Sequence, residues 1–194
     1  MNKALPCVGM LVLAMMGCSQ PESERQSGIA SAPVASVASK QRPQLGVSAE
    51  SIKNVIGSKV LNVGSGVLKD GTKRALITLE NQVAVDLIGD EHNLAEVNII
   101  FPLVSGPSDM MLMRTAEIVA ALAAACPEME GQMKPSKWLS HVLSETEAEQ
   151  KKAKPPREVE LFTEHGEKRV RYLASLQQQM ATIIIEPKVV PAPK

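Results

Sequence analysis

The feature that most limits what this chain can fold into is an apolar run near its start that ends at a cysteine. Residues 4–17 are almost wholly apolar, Lys3 precedes them, and Cys18 follows. This order of residues is the pattern of a secretory signal peptide. A transmembrane helix would need about 20 apolar residues, whereas this run is shorter and contains Pro6. A buried helix fits poorly because a polar segment follows at once. We therefore predict that residues 1–17 are a signal peptide.

The residues around the cleavage point carry a resemblance to a known class. Residues 15–18, Met-Met-Gly-Cys, with Leu13 upstream, resemble the lipobox of bacterial lipoproteins, in which a peptidase cleaves before a cysteine that already carries a diacylglycerol. Met15 stands where Leu is usual. The resemblance covers the first 20 residues only. It implies a mature chain that begins at lipidated Cys18 and is held at a membrane by acyl chains such as palmitate. Ser19 in the next position implies an outer-membrane location facing the periplasm.

Cleavage leaves one cysteine thiol in the mature chain. Cys7 would leave with the leader and Cys18 would be blocked by lipid, so only Cys126 remains. A single thiol cannot form a disulfide within the chain, although an exported protein meets an oxidising compartment. Cys126 ends an Ala-rich apolar stretch, so we expect it to act as a small buried hydrophobic residue. A reactive or intermolecular thiol is the alternative.

Composition divides the rest of the chain into a tether, a domain and a tail. Residues 18–44 are dominated by Ser, Ala, Gln, Pro and charged residues without a hydrophobic period, which predicts a flexible tether with a typical reach of roughly 30 Å. Residues 45–187 carry the hydrophobic patterns and are of a size that one domain can fold. The Pro-rich residues 188–194 are predicted to be a disordered tail.

The patterns within residues 45–187 predict an α+β fold. Ser48 caps a short first helix. Strands follow at 59–68 and 74–79, joined by an Asp-Gly turn, and then at 83–88 and 96–101, where apolar and other residues alternate. Further strands are predicted near 158–163, 168–174 and 181–186. An antiparallel sheet with helices packed on one face buries these patterns most economically.

Two helices are predicted between the two groups of strands. The first begins at Ser108 and ends before Pro127, with an inward stripe that includes Met111, Thr115, Ile118, Val119, Leu122 and Cys126. Arg114 and Glu117 lie off that stripe, and we expect the methionines at 110, 111 and 113 to form core and rim rather than a dedicated groove. The second helix follows Pro135 and turns Leu139, Val142 and Leu143 inward. Residues 145–157 are predicted to be a solvated connection.

Composition argues against two classes of ligand. The chain has one Trp, one Tyr and two Phe, whereas surfaces that bind sugars or single-stranded nucleic acid usually stack the ligand on aromatic rings. The 21 basic residues are balanced by 21 acidic ones, so no net field would collect phosphates. We therefore expect no nucleic-acid partner.

The sequence offers little that could carry catalysis. Gly64-Ser65-Gly66 matches neither a nucleophile elbow nor a phosphate loop, and a bulge or bend in a strand is the simpler interpretation. His92, His141 and His165 are far apart in sequence, and none has a second histidine or a cysteine one helical turn away. The pairs Glu91-His92 and Glu164-His165 would form a metal or acid–base site only if the fold brought both predicted turns together. We predict no catalytic residues, no metal and no cofactor.

These observations predict a membrane-anchored envelope lipoprotein with a noncatalytic domain that binds another envelope protein. Two alternatives stay open. The first is an inhibitor or immunity-type lipoprotein that protects against a wall-degrading enzyme. The second is a hydrolase or small-ligand carrier, which buried polar groups converging on a pocket would support. The single site residue predicted is Cys18, as the point of lipidation.

Overall fold

The computed structural model describes residues 42–104, 106–131, 133–152 and 158–188, and within them it contains seven β-strands, three α-helices and one 3-10 helix. The strands are β1 (Val60–Val67), β2 (Lys73–Leu79), β3 (Ala84–Asp90), β4 (Asn93–Pro102), β5 (Glu158–His165), β6 (Lys168–Ser175) and β7 (Met180–Pro187). The helices are α1 (Ala49–Lys53), α2 (Ser108–Ala125) and α3 (Pro135–Lys152), and the 3-10 helix is Pro127–Gly131. The predicted signal peptide, the predicted tether as far as residue 41 with the predicted lipidation site Cys18, and the predicted tail from residue 189 lie outside the described residues.

The strands form one antiparallel sheet in the order β1-β2-β3-β4-β7-β6-β5. The first four strands are a meander, because each pairs with the next along the chain. The chain then passes through α2 and α3 before it returns as β5 at the opposite edge. β7 lies between β4 and β6 and so joins the two groups of strands. The α+β class with an antiparallel sheet, predicted from the order of elements, is confirmed.

A single row of cross-strand neighbours shows how the sheet builds the core. Its middle five members are buried, and its two end members, on the edge strands, are more exposed. Because side chains alternate between the two faces of a strand, every member of the row lies on the same face. From β1 to β5 the row is Val63, Ile77, Val85, Ile99, Ile183, Tyr172 and Leu161.

The residues before α1 fasten the start of the described chain to the sheet. Leu94 exchanges backbone hydrogen bonds with this segment, accepting from Leu45 N at 2.7 Å and donating to Val47 O at 2.8 Å. Arg42 pairs with Asp70, at the turn between β1 and β2, at 2.7 Å. Ser48 caps α1 as predicted, because its side chain accepts a hydrogen bond from Ser51 N at 3.1 Å.

The second long helix is longer than its predicted core-facing stripe. Trp138, Leu139 and Val142 are buried as the stripe requires, and Thr146 continues that stripe one turn further. The prediction that residues 145–157 are a solvated connection was therefore wrong as far as Lys152, where α3 ends. A run of charged residues is as compatible with a helix as with a loop, because ion pairs one turn apart stabilise an exposed helix face. Glu147 makes such a pair with Lys151 at 2.7 Å.

Candidate binding surface

Two of the three charged residues of α2 are buried, and Arg114 is the first of these two. Arg114 is only 6% exposed, and its guanidinium donates hydrogen bonds solely to neutral oxygens. The acceptors belong to the β2–β3 turn and to the end of β4, and burial lowers the pKa of the guanidinium. This side chain therefore joins α2 to two loops at one end of the sheet. The contacts are Nε with Asn81 O (3.1 Å), Nη1 with Pro102 O (3.3 Å) and Val104 O (3.2 Å), and Nη2 with Gln82 Oε1 (3.0 Å).

The second buried charge of α2 is Glu117, one turn after Arg114. Glu117 is 8% exposed, and its Oε1 accepts hydrogen bonds from the backbone of Gly57, at 3.0 Å, and of Ser58. Its Oε2 is buried and has no hydrogen-bond partner among the described residues. Glu117 thus fixes the segment between α1 and β1 to α2, just as Arg114 fixes the β2–β3 turn and the end of β4 to the same helix.

These two inward charges leave the outward side of α2 apolar. Leu112 is 76% exposed, and Met111 and Met113 are also exposed. The prediction that Met111 and Thr115 turn inward while Arg114 and Glu117 lie outside the stripe was wrong. The reason is that α2 is apolar nearly all round, so its period does not select one face, and backbone groups of loops remote in sequence take up the two charges. Of the expected core and rim positions for the methionines, the core position was wrong, since Met110 is half-buried and Met111 and Met113 are exposed.

Two shallow cavities lie side by side on this part of the molecule. A cavity of about 110 Å³ opens between α2, α3 and the end of β4, where Leu103, Leu139 and Leu143 line it. A broader one of about 560 Å³ covers the outside of α2, and Met111 and Thr115 line both. We call the outer one the α2 surface. It consists of Ser108, Met111, Leu112, Thr115, Ala116 and Val119.

The opposite face of the sheet is charged, and many of its ions are already paired. Arg74 contacts Asp86 at 2.7 Å, and Arg169 contacts Glu164 at 2.9 Å. Arg171 lies between two carboxylates, one on β5 and one on β7. Such internally satisfied ion pairs contribute little attraction for an outside ligand. The charged face of the sheet therefore offers little unpaired charge to a ligand. The α2 surface, which exposes apolar side chains, is the stronger candidate for a binding site.

The C-terminal end of α2 is held by a buried polar cluster. Lys168 Nζ donates to Ala125 O at 3.2 Å and to Glu128 Oε2 at 3.0 Å, which caps the helix with a cation. Cys126 is fully buried beside it, as predicted, and burial raises the pKa of its thiol to about 11. The thiol is therefore protonated at neutral pH and a poor nucleophile.

The two histidines of the candidate metal or acid–base site, His92 and His165, do not meet. His92 is exposed in the β3–β4 turn, whereas His165 is 2% exposed and has its Nε2 3.1 Å from Thr163 Oγ1. Both turns lie at the same end of the sheet, but the strand order puts the two hairpins about 14 Å apart at roughly 4.8 Å per strand. Burial lowers the pKa of His165, more than the nearby Glu128 raises it.

The remaining candidate residues also lack a shared site. His141 is exposed on α3. Gly64, Ser65 and Gly66 pair regularly with β2, and the irregularity of β1 lies earlier, between Val60 and Asn62, so the predicted bulge at the glycines was wrong. Over residues 42–104, 106–131, 133–152 and 158–188, no group of three His, Cys, Asp or Glu side chains could hold a metal ion.

Comparison with known proteins found no match: no family model fits the chain, and no characterised protein or solved structure is detectably similar to it. Among the described helices, none combines the length and the hydropathy that crossing a bilayer requires. The case for function therefore depends on the surface itself and on the features of the leader.

Proposed function

We propose that this protein is a lipid-anchored envelope lipoprotein whose α+β domain binds another protein through the α2 surface. The observation that carries the proposal is the arrangement of α2, which buries both of its internal charges and presents Leu112 and its neighbours to solvent. Contiguous apolar patches on a folded domain mark interaction sites. Charges on the inner side of a helix need hydrogen-bond partners, and the loops supply them to the guanidinium of Arg114 and to one carboxylate oxygen of Glu117.

The composition of the α2 surface favours a protein over a bilayer. Helices that lie in a membrane interface carry Lys or Arg around their apolar face, whereas the charged residues of α2 are Asp109 near its start and the buried Arg114 and Glu117. Methionine and small residues give a surface that can adapt to another side-chain surface. The adjoining cavity between α2 and α3 provides a groove in which an amphipathic helix of a partner would lay its apolar side.

The place where the described chain begins also favours a protein, rather than a bilayer, as the partner of the α2 surface. The described chain begins at Arg42 beside the β1–β2 turn and then pairs with Leu94, at the start of β4. The first half of α2 contacts Pro102, at the other end of β4. The ten residues of β4 span about 33 Å. An anchor on Cys18 would thus hold the domain by the end remote from the start of α2, leaving that surface free for a protein in the periplasm.

Site-specific crosslinking tests the binding surface. A photoreactive amino acid in place of Leu112 should give one discrete adduct in intact envelopes. The mass of this adduct should be that of the chain plus one partner, and it should differ from twice the mass of the chain. The matched control is the same amino acid at Ser144, which is exposed on the neighbouring α3. Adding Ala116→Glu should reduce the Leu112 adduct about tenfold, because a charge would be buried against an apolar partner.

Three outcomes would count against the surface. Leu112 could give no adduct, it could give the same adducts as Ser144, or the adduct could consist of two copies of this chain. Thermal unfolding of the Ala116→Glu variant should match the unmodified chain, since Ala116 is exposed. That measurement separates a lost partner from a lost fold.

Labelling with radioactive palmitate tests the anchor. The unmodified chain should incorporate label and sediment with membranes, and Cys18→Ala should lose both properties, because the lipid would have no thiol to occupy. Cys7→Ala is the matched control and should change neither. Unlabelled protein that retains Met1 in the cytosol would refute the anchor while leaving the test of the α2 surface unaffected.

A further inference from the structure

β1 is an edge strand of the sheet formed by the described residues, and it carries no charged residue. All eight residues of β1, Val60–Val67, are apolar, polar but neutral, or glycine, and seven of them are exposed. Apart from the ladder with β2, the backbone of β1 makes no hydrogen bond with any residue in the described part of the chain. A strand at a sheet edge offers a row of backbone donors and acceptors to a further strand. β1 therefore has the capacity for pairing and carries no charge that would oppose it.

β5, at the other edge of the sheet, is protected against pairing with a further strand. β5 carries Glu158, Glu160 and Glu164, and it also contacts α3. Its one large exposed apolar residue, Phe162, has Arg169 over its ring at 5.5 Å from the centroid. Charged side chains on an edge are a common device against unwanted strand pairing. β1 lacks that device over its full length, although the sheet uses it at the opposite edge.

The apolar core row runs out to this open edge. Val63 pairs with the buried Ile77, and so its side chain lies on the face that the helices cover elsewhere. Val63 is nevertheless 58% exposed, and Val67, on the same face of β1, is also exposed. The row that crosses seven strands therefore ends in solvent rather than at a polar border. A strand added beside β1 would continue the row and bury both valines.

We infer that β1 pairs antiparallel with β1 of a second copy, about a two-fold axis that passes through Ser65. This register keeps the helices of both copies on the same side of a continuous sheet, because it pairs odd-numbered residues with odd-numbered residues. It places Val63 opposite Val67 of the other copy, twice, on either side of the Ser65 pair. On the opposite face Gly64 and Gly66 meet, where no side chain obstructs the approach of the backbones.

Charge favours a second copy as the occupant. Without Lys3 of the predicted leader, the chain would keep 20 of its 21 basic residues and all 21 acidic ones, so two copies would have almost no net charge with which to repel each other. β1 itself presents no charge that would select a charged partner strand, and an isologous pair leaves no unmatched charge in the new ladder. This contact is separate from the α2 surface and would form whether or not that surface binds a partner.

Disulfide trapping tests both the contact and its register. Opposed residues of an antiparallel pair lie about 4.5–5.5 Å apart between Cα atoms, which is within the range of a disulfide. The full chain with Ser65→Cys, expressed with its leader, should therefore form a dimer in the oxidising envelope that reducing agent dissolves. Val67→Cys should form several-fold less, because residue 67 of one copy lies opposite residue 63 of the other and far from residue 67.

Two further variants complete the test. Phe162→Cys, on the exposed part of β5, is the matched control and should give no dimer above the level of the unmodified chain. Val63→Lys should weaken dimerisation of the detergent-purified full chain at least tenfold in analytical ultracentrifugation, with an unchanged circular dichroism spectrum, because it puts a charge into the row at an already exposed position.

Each result of these experiments either supports or contradicts the pairing of β1 with β1 of a second copy. A Ser65→Cys dimer that exceeds both cysteine controls, together with the loss caused by Val63→Lys, supports the pairing. No Ser65→Cys dimer, an equal yield through Val67→Cys or Phe162→Cys, or a Val63→Lys variant that dimerises normally would each overturn it. None of these results depends on palmitate labelling or on an adduct at Leu112, so this inference and the proposed function can fail separately.

Discussion

The two long helices pack against the same sheet but use opposite arrangements. Both are 18 residues long. α3 turns Trp138 and Leu139 inward and presents polar residues such as Lys137 and Ser140 to water. α2 also turns an apolar stripe inward, but it buries two charged residues beside that stripe and exposes apolar residues in its first half. The comparison shows that hydrogen bonds to loops can hold charges on the inner side of a helix, and that the outer side is then free to be apolar.

The largest effect that would sharpen this comparison is expected at Arg114. Arg114→Ala should lower the free energy of unfolding by about 3 kcal/mol, since it leaves carbonyl groups in the β2–β3 turn and after β4 without their donor. Urea denaturation followed by circular dichroism measures the change.

Leu112→Ala in the same helix is the matched control for that measurement. It should change the free energy of unfolding by less than about 0.5 kcal/mol, because Leu112 is exposed. Equal losses from the two substitutions would contradict the inverted arrangement of α2, since they would mean that its outer side contributes as much to the fold as its inner side.

A smaller effect is expected at the C-terminal end of α2, where His165 lies near Glu128. Burial lowers the pKa of His165 below its unfolded value of about 6.5. The unfolded chain therefore takes up the proton first as the pH falls. The stability contributed by neutral His165 is present above pH 6.5 and is lost as the pH falls toward the lower folded pKa.

Denaturant midpoints measured between pH 7.5 and 5 check this expectation. They should fall with decreasing pH for the unmodified chain and fall less steeply for His165→Asn, which cannot take up a proton. His92→Asn is the control, because His92 is exposed in the β3–β4 turn and should leave the slope unchanged. A slope unaffected by His165→Asn would show that this end of α2 does not sense pH through the buried imidazole.

The sheet could be predicted from the sequence because its strands obey a simple period. Residues 83–88 and 96–101 alternate so that Val85 and Ile99 face the core, and the structure pairs these two directly. The predicted Asp-Gly turn is also confirmed, since Gly71 adopts a φ of +82° between β1 and β2. Each of these features depends on residues close together in the chain, where periodicity and turn preferences act.

The candidate surface could not be predicted, because its cause is tertiary. The charged residues of α2 are Asp109, Arg114 and Glu117, too few to mark a polar face on an 18-residue helix. The groups that bind Arg114 and Glu117 come from three loops distant in sequence. The sequence does show a cluster of methionines at the start of α2, from which we expected core and rim rather than a dedicated groove.

The clamp between Arg42 and Asp70 has a mechanical consequence. Arg42 is the first described residue and holds the β1–β2 turn at 2.7 Å, and it lowers the pKa of Asp70 to about 2. A pull on the chain before Arg42 would load this exposed ion pair first and next the two backbone bonds around Leu94, before it reached the hydrophobic interior. In the proposed anchored protein, this ion pair would therefore break first under such a pull, while the sheet and α2 would keep their shape.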